Sequence, residues 1–160
     1  MATKKNILPT EQQAKIIELL NRRLADAIDL QLQSRQAYWN VKGPNFIALR
    51  ELFNKIAESV EEDANLIAGR IVQLGGMAEG SAHAIAMRSS LDGYLLATSG
   101  GNGHIMALST ALIAFGKVAR YASEQATELK DTDTADIFTA IARDVYKWLW
   151  FVETSQQAGS

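Results

Sequence analysis

The residues most able to do chemistry in this chain are two groups of carboxylates. The first group comprises Glu58, Glu61, Glu62 and Asp63, and the second comprises Asp131, Asp133 and Asp136. Carboxylate oxygens bind cations, so each group is a candidate for holding or attracting a metal ion. Each group also has an ordinary interpretation. The first could be a solvated helix face, and the second could cap the start of a helix through Asp131 or Thr132.

Other chemistry is sparse in this sequence. His83 and His104 are the only histidines, and neither stands at ligand spacing from a second strong ligand, so we expect both on the surface. The absence of cysteine excludes disulfides, iron–sulfur clusters and thiol catalysis, and it suits a reducing cytosol. Phosphate-binding loops, G-x-S-x-G elbows and H-E-x-x-H zinc motifs are also missing from the sequence. These common enzyme classes are therefore not predicted.

The charge balance limits the partners of the chain. Sixteen Lys and Arg face eighteen Asp and Glu, a formal charge of -2, so any nucleic-acid binding must be local. Lys4 and Lys5 in the N-terminal tail are the candidate DNA contacts. No apolar run approaches the roughly 18 residues of a membrane span, and the start of the chain does not resemble a signal peptide. We expect a cytoplasmic protein that does not enter a membrane.

Four long helices must position these groups, because apolar residues recur alternately three and four apart along most of the chain. The first helix is predicted to follow Thr10, as N-cap with Gln13 at the capping-box position, and to end near Trp39. The others are predicted over residues 46–74, ended by Gly75 and Gly76, over about 104–129, and over about 132–154.

The segment from 77 to 103 is rich in Gly and Ser and has no sustained period, although SAHAIAMR within it could form a short helix. Two helix pairs joined by one long crossover are typical of a ferritin-like bundle. We therefore predict an all-α, ferritin-like four-helix bundle whose crossover contains a short helix. This domain is expected over residues 11–157, after a flexible N-terminal tail at 1–10.

The segment QAYWNVKGPNFIALRELFNKIAESVEEDANLIAGRIVQLGG, residues 36–76, resembles the signature region of the Dps family (DNA-binding protein from starved cells). The resemblance resumes in TADIFTAIARDVYKWLWFVE, and together with the helix lengths it spans nearly the whole chain. It implies a homo-oligomeric, dodecameric hollow shell that takes up iron(II), oxidises it with peroxide and stores the ferric mineral. In some members of the family the shell also coats DNA.

The resemblance further implies an iron-oxidising site of five ligands, shared between two subunits, with the pattern His-x11-His-x3-Asp-x10-Asp-x3-Glu. This chain keeps the spacing but replaces every ligand, with Tyr38, Arg50, Asn54, Asn65 and Gly69 at the five positions. Arginine keeps its positive charge near neutral pH, amides are weak ligands, and glycine offers no side chain. We therefore expect no metal at this site and no catalysis there, whereas iron in the shell's cavity or pores stays possible.

The resemblance also bears on residues near the altered site and on the second group of carboxylates. Trp39 neighbours the site and is expected to be a packed interface aromatic. Glu61 shares a helix face with Asn54 and Asn65, so it could pair with Arg50 or a metal, or be an ordinary solvated or salt-bridged carboxylate. By resemblance, Asp131, Asp133 and Asp136 line an ion-entry pore, where a ring of carboxylates would concentrate cations. Tyr146 falls where some relatives carry another pore acid.

Three functions follow from these observations. The first is a Dps-like shell subunit whose iron-oxidising centre does not work. The second is an active enzyme with a relocated site that uses Glu61, Glu62 or Asp63. The third is a DNA-condensing protein that acts through Lys4 and Lys5.

Overall fold

The computed structural model describes residues 8–95, 97–98 and 100–156. Over these ranges the chain forms helices and no strand. In order along the chain they are α1 (Thr10–Asn40), α2 (Phe46–Gln73), α3 (Ala82–Arg88), α4 (Gly101–Glu128) and α5 (Thr132–Thr154). The all-α bundle of four long helices, with a short helix in its single long crossover, is confirmed.

The core fills the space between two antiparallel helix pairs. α1 packs chiefly on α2 and α4 chiefly on α5, and fewer contacts join α2 to α5. Phe53, Phe115 and Phe138 are fully buried at the centre. On α4 the small Gly116 admits the ring of Tyr146, since a Cβ at Gly116 would lie 2.9 Å from that ring. Burial of large apolar side chains, each worth about 1.5–3 kcal/mol, is the main force holding the pairs together.

α2 ends in a left-handed turn, as the glycine pair predicts. Gly75 has a φ of 88°, its N–H donates to the carbonyl of Val72 at 3.0 Å, and the N–H of Gly76 donates to that of Ile71 at 2.9 Å. This is the Schellman arrangement, which satisfies carbonyls that the helix leaves free. α4 ends in the same arrangement, but there a lysine, Lys130, takes the left-handed position with a φ of 67°.

Two predicted helix starts are wrong. Thr10 is the first residue of α1 rather than its cap; Pro9 occupies the cap position, and no side chain caps this end. The Gln13 side chain instead donates to the carbonyl of Leu74 at 2.5 Å, so it joins α1 to the end of α2. α4 begins at Gly101, three residues before the predicted start at His104. By contrast, the limits of α5 are as predicted.

Polar side chains of α1 hold the crossover in place. Asn21 donates to the carbonyl of Met77 at 3.0 Å and accepts from the N–H of Glu79 at 2.9 Å. Further along, Asp26, Asp29 and Gln33 bind Ser90, Ser89 and the carbonyl of Asp92, at 2.6–3.0 Å. These partners supply hydrogen bonds to backbone and side-chain polar groups that would otherwise be buried without them. The crossover therefore follows one path across α1.

α4 is a long and apolar helix. Among the described residues it is the one helix whose length and hydropathy would allow a membrane span. Its apolar face, with Leu108, Leu112 and Phe115, is nevertheless buried against the other helices of the bundle. We therefore describe α4 as a core helix.

Candidate functional site

Three of the five altered ligand positions meet where α1 turns into α2. Tyr38 lies in the last turn of α1, and Arg50 and Asn54 lie one turn apart near the start of α2. The guanidinium carbon of Arg50 lies 4.4 Å from the centroid of the Tyr38 ring. These three residues line a surface cavity of about 220 Å³ together with Phe46, Ile47 and Glu51.

The guanidinium of Arg50 already places a positive charge in this cavity. A guanidinium over a phenol ring gains about 0.5–1 kcal/mol at an exposed site, and it keeps its charge at any ordinary pH. A divalent ion 4 Å from that charge would meet a repulsion of about 2 kcal/mol in water and more in a drier interface. Among the residues that the structure describes, Glu51 is the one carboxylate that lines the cavity. One carboxylate beside a fixed positive charge is a poor donor set for iron.

The other two altered positions lie elsewhere on the subunit. Asn65 is eleven residues beyond Asn54, roughly 16 Å along α2, and Gly69 is one turn further. Both are exposed, and Asn65 lines a separate groove between α1 and α2 with Gln31 and Glu61. A side chain at Gly69 would meet nothing within 4 Å. One subunit thus brings together three of the five positions, which fits the division between two subunits that the resemblance implies.

Apolar surface surrounds the cavity at the turn. Trp39 is 63% exposed in the single subunit, and the neighbouring Phe46 and Ile47 are 43% and 64% exposed. Three large apolar side chains on one exposed corner are unusual for a subunit that stays alone. The expectation that Trp39 packs in an interface stays a prediction.

Glu61 takes part in a surface ion pair with α1. Its carboxylate lies 3.6 Å from the Arg35 guanidinium and accepts from the Gln31 amide at 3.4 Å. At these distances and exposures the contacts are weak. Arg50 instead stacks on Tyr38, so the structure places Glu61 in the ordinary salt-bridged role.

Asp63 separates from the other acids of its group. It is 6% exposed and faces Asp144 of α5, whereas Glu61 and Glu62 are exposed. Burial, and then the adjacent charge and hydrogen bond of Asp144, raise the pKa of Asp63 to about 8. Nowhere in the described ranges do three or more His, Cys, Asp or Glu side chains converge as a metal would require. The geometry of the single subunit therefore does not assemble a relocated iron site from Glu61, Glu62 and Asp63.

The contact between Asp63 and Asp144 was missed by the sequence analysis, although a signal for it exists. Asp63 follows Val60 by three residues and precedes Ile67 by four, so it stands on the apolar seam of α2. Asp144 has the same spacing between Ile141 and Trp148 on α5. An acid at a seam position predicts burial, and a buried acid needs a partner.

The second acidic group divides into a capping residue and two exposed ones. Asp131 is 3% exposed, accepts from the backbone N–H of Thr134 at 3.2 Å, and pairs with Arg70 at 2.8 Å. It is therefore the N-cap of α5, as one of the two readings predicts. Asp133 and Asp136 are exposed on the first turns of α5. Tyr146 lies ten residues beyond Asp136, about 15 Å along the helix, with the Arg120 guanidinium 5.8 Å from its ring.

The prediction for the two histidines is half right. His83 is exposed on α3, but His104 is 1% exposed, so its predicted place on the surface is wrong. The Tyr94 hydroxyl is hydrogen-bonded to Nδ1 of His104, and the two rings stack with centroids 5.8 Å apart. Burial lowers the pKa of His104 and raises that of Tyr94. His104 is therefore a neutral core residue that anchors the end of the crossover. Lys4 and Lys5 lie outside the described residues.

Comparisons with known proteins agree with this architecture. A family model described as a ferritin-like domain matches residues 17–158. A DNA protection during starvation protein of Agrobacterium fabrum is 40% identical over 156 residues, which cover 98% of this chain and 96% of that protein. Mycobacterium smegmatis Dps matches with a TM-score of 0.89 at 29% identity, covering 96% of this chain and 93% of the other. DpsA14 from Streptomyces coelicolor matches with a TM-score of 0.89 at 30% identity, covering 96% and 92%.

Proposed function

Because the chain belongs to the Dps family of ferritin-like proteins, we propose that it builds a closed shell whose inter-subunit iron-oxidising centre does not work. The observation that carries this proposal is the Arg50 guanidinium stacked on Tyr38 at 4.4 Å. It puts a fixed positive charge in the part of the site where the resemblance implies two histidines and an aspartate. The neutral Asn54, Asn65 and Gly69 add no compensating ligand.

The proposal is tested by mixing iron(II) and hydrogen peroxide with the protein and following ferric absorbance. We expect oxidation no faster than in buffer, because nothing at the site holds iron(II) beside the oxidant. Catalysed turnover by the unaltered chain would contradict the proposal. The matched variant for comparison restores the family's five ligands at the spacing that this chain has kept. It carries Tyr38→His, Arg50→His, Asn54→Asp, Asn65→Asp and Gly69→Glu together.

Anomalous scattering from iron-soaked crystals complements the rate measurement, because it reports where iron sits rather than how fast it reacts. We expect no iron at the five altered positions. Iron on α2 beside Glu61 or Glu62 would instead support the relocated carboxylate site.

On this proposal, the chain has kept the family's ability to assemble into a shell. The exposed corner formed by Trp39, Phe46 and Ile47 gives the apolar surface that a subunit contact needs. Asp133 and Asp136 remain free to line an opening between subunits, whereas Asp131 already caps α5 and binds Arg70. We expect twelve subunits, in the cytoplasm, and light scattering of the purified protein measures the number. A monomeric mass would contradict the shell.

DNA binding through the tail is a second candidate, favoured by the name of the Agrobacterium fabrum relative. Two lysines per subunit, multiplied by the copies in a shell, would give salt-dependent avidity. A gel shift at low salt should then lose affinity when residues 1–10 are deleted. An unchanged shift after the deletion would assign DNA binding to another surface.

A further inference from the structure

The contact between Asp63 and Asp144 joins the two helix pairs of the bundle. Asp63 lies on α2 and Asp144 on α5, and these helices share fewer contacts than the helices within each pair. A polar contact at this place therefore joins one helix pair to the other. This contact does not depend on the proposed function.

The hydrogen bonds around the two acids are unequal. Asp144 accepts from the Ser59 hydroxyl at 2.5 Å through Oδ2, and its Oδ1 lies 3.3 Å from the Lys147 ammonium. Asp63 Oδ2 is buried, and no N–H or O–H donor among the described residues reaches it. A buried carboxylate oxygen without a donor is unfavourable. Asp144 is thus equipped to carry a negative charge, and Asp63 is not.

A proton removes this imbalance. The two carboxyl groups are adjacent, and two ionised carboxylates have no hydrogen to share. If Asp63 carries the proton, its O–H donates to Asp144, and Asp144 then accepts from Asp63, Ser59 and Lys147. We propose that Asp63 and Asp144 share one proton at neutral pH, and that this shared proton fastens α2 to α5.

The surrounding charges agree with this assignment. On α5, Lys147 offsets the charge of Asp144 and lowers the pKa of Asp63, while on α2 Glu62 raises it. Burial and the neighbouring carboxylate outweigh the lysine, so the pKa of Asp63 rises from 3.8 to about 8. In the unfolded chain the same acid ionises near its ordinary value. Between about pH 4 and pH 8 the folded state therefore binds one proton more than the unfolded state.

This difference fixes the sign of the pH dependence. The state that binds more protons loses stability as the pH rises, so the contribution of Asp63 is full below about pH 4 and declines up to about pH 8. Above that pH Asp63 is ionised, and the adjacent Asp144 repels its charge across the contact between α2 and α5. The contact between α2 and α5 then weakens.

The experiment compares the full-length protein with Asp63→Asn, which keeps the shape and a donor but cannot titrate. Urea unfolding is followed at intervals between about pH 5 and pH 9, at one protein concentration, with Glu62→Gln as the exposed, adjacent control. Relative to Asp63→Asn, the folding equilibrium constant of the unaltered protein should fall by up to about tenfold per pH unit below pH 8. Glu62→Gln should keep the slope of the unaltered protein. Equal slopes in the unaltered protein and Asp63→Asn would overturn the proposal.

Infrared spectroscopy gives a second readout that requires no change in stability. At neutral pH the protein should show a C=O stretching band of a protonated carboxylic acid, which disappears as the pH is raised past about 8. Asp63→Asn should lack this band, and Glu62→Gln should retain it. If the unaltered protein shows no such band at neutral pH, both acids are ionised and the shared proton is refuted, even if Asp63→Asn fails to fold.

Discussion

Arg70 of α2 joins the start of α5 to the other helix pair, so its removal should destabilise the bundle. Its Nη2 lies 2.8 Å from Oδ1 of Asp131, and its Nε donates to the Thr134 hydroxyl at 3.0 Å. The side chains of Arg70 and Asp131 are only 12% and 3% exposed. Removing one member of a buried ion pair typically lowers the free energy of unfolding by about 3–5 kcal/mol, because the other charge stays buried without its partner.

The expected effect of Arg70→Ala is somewhat smaller than that range. Asp131 would still accept from the backbone N–H of Thr134 at 3.2 Å and from its hydroxyl at 2.5 Å. These two donors continue to stabilise the carboxylate, and water can reach part of the space that the guanidinium leaves. We therefore expect Arg70→Ala to lower the free energy of unfolding by about 2–4 kcal/mol.

Urea unfolding followed by circular dichroism measures this difference, at several protein concentrations so that dissociation is separated from unfolding. Arg22→Ala is the matched control, because Arg22 also pairs with an acid at 3.1 Å, but both partners are more than half exposed. That control should change stability by less than about 0.5 kcal/mol. If the free energies of unfolding of the two variants differ by less than about 0.5 kcal/mol, the buried pair does not stabilise the bundle as we argue.

The remaining predictions concern two backbone positions. Gly69→Ala should raise the free energy of unfolding by about 0.5–1 kcal/mol, since Gly69 is inside α2 and an added Cβ meets nothing within 4 Å; a loss of stability in urea would show that the position needs glycine. Lys130→Gly should raise it by about 0.5–1 kcal/mol, because Lys130 holds a φ of 67° that glycine adopts without strain. A lower melting temperature of Lys130→Gly would mean that the lysine side chain contributes more than its backbone strain removes.

The helices could be predicted from the sequence wherever two signals coincide. α5 is one such case, because an apolar seam that begins at Phe138 follows Asp131, which caps the helix. α2 was also found, since its seam is long and Gly75 ends it. The start of α1 failed because Thr10 and Gln13 fit a local capping pattern, while in the fold Gln13 bonds to Leu74, sixty-one residues away. Local patterns cannot show that a distant acceptor competes for the same side chain.

Only part of the candidate site could likewise be predicted from the sequence. The replaced ligand positions could be identified only through the resemblance to the Dps family, and the structure adds that Arg50 stacks on Tyr38. The burial of His104 could not be read, because it depends on Tyr94 folding back from the crossover onto the ring. Asp63 could have been recognised as a seam residue, but its partner on α5 is fixed only by how the two helix pairs are aligned.

The crossover has a natural point of division at Gly93. On one side Asp92 is held by Gln33 of α1, and on the other Tyr94 is held by His104 of α4. A chain cut at this glycine would leave each fragment with one complete helical hairpin and its own anchored end of the connection. The two fragments would be suited to reassemble when mixed, as a split protein whose halves recognise each other through the faces of their hairpins.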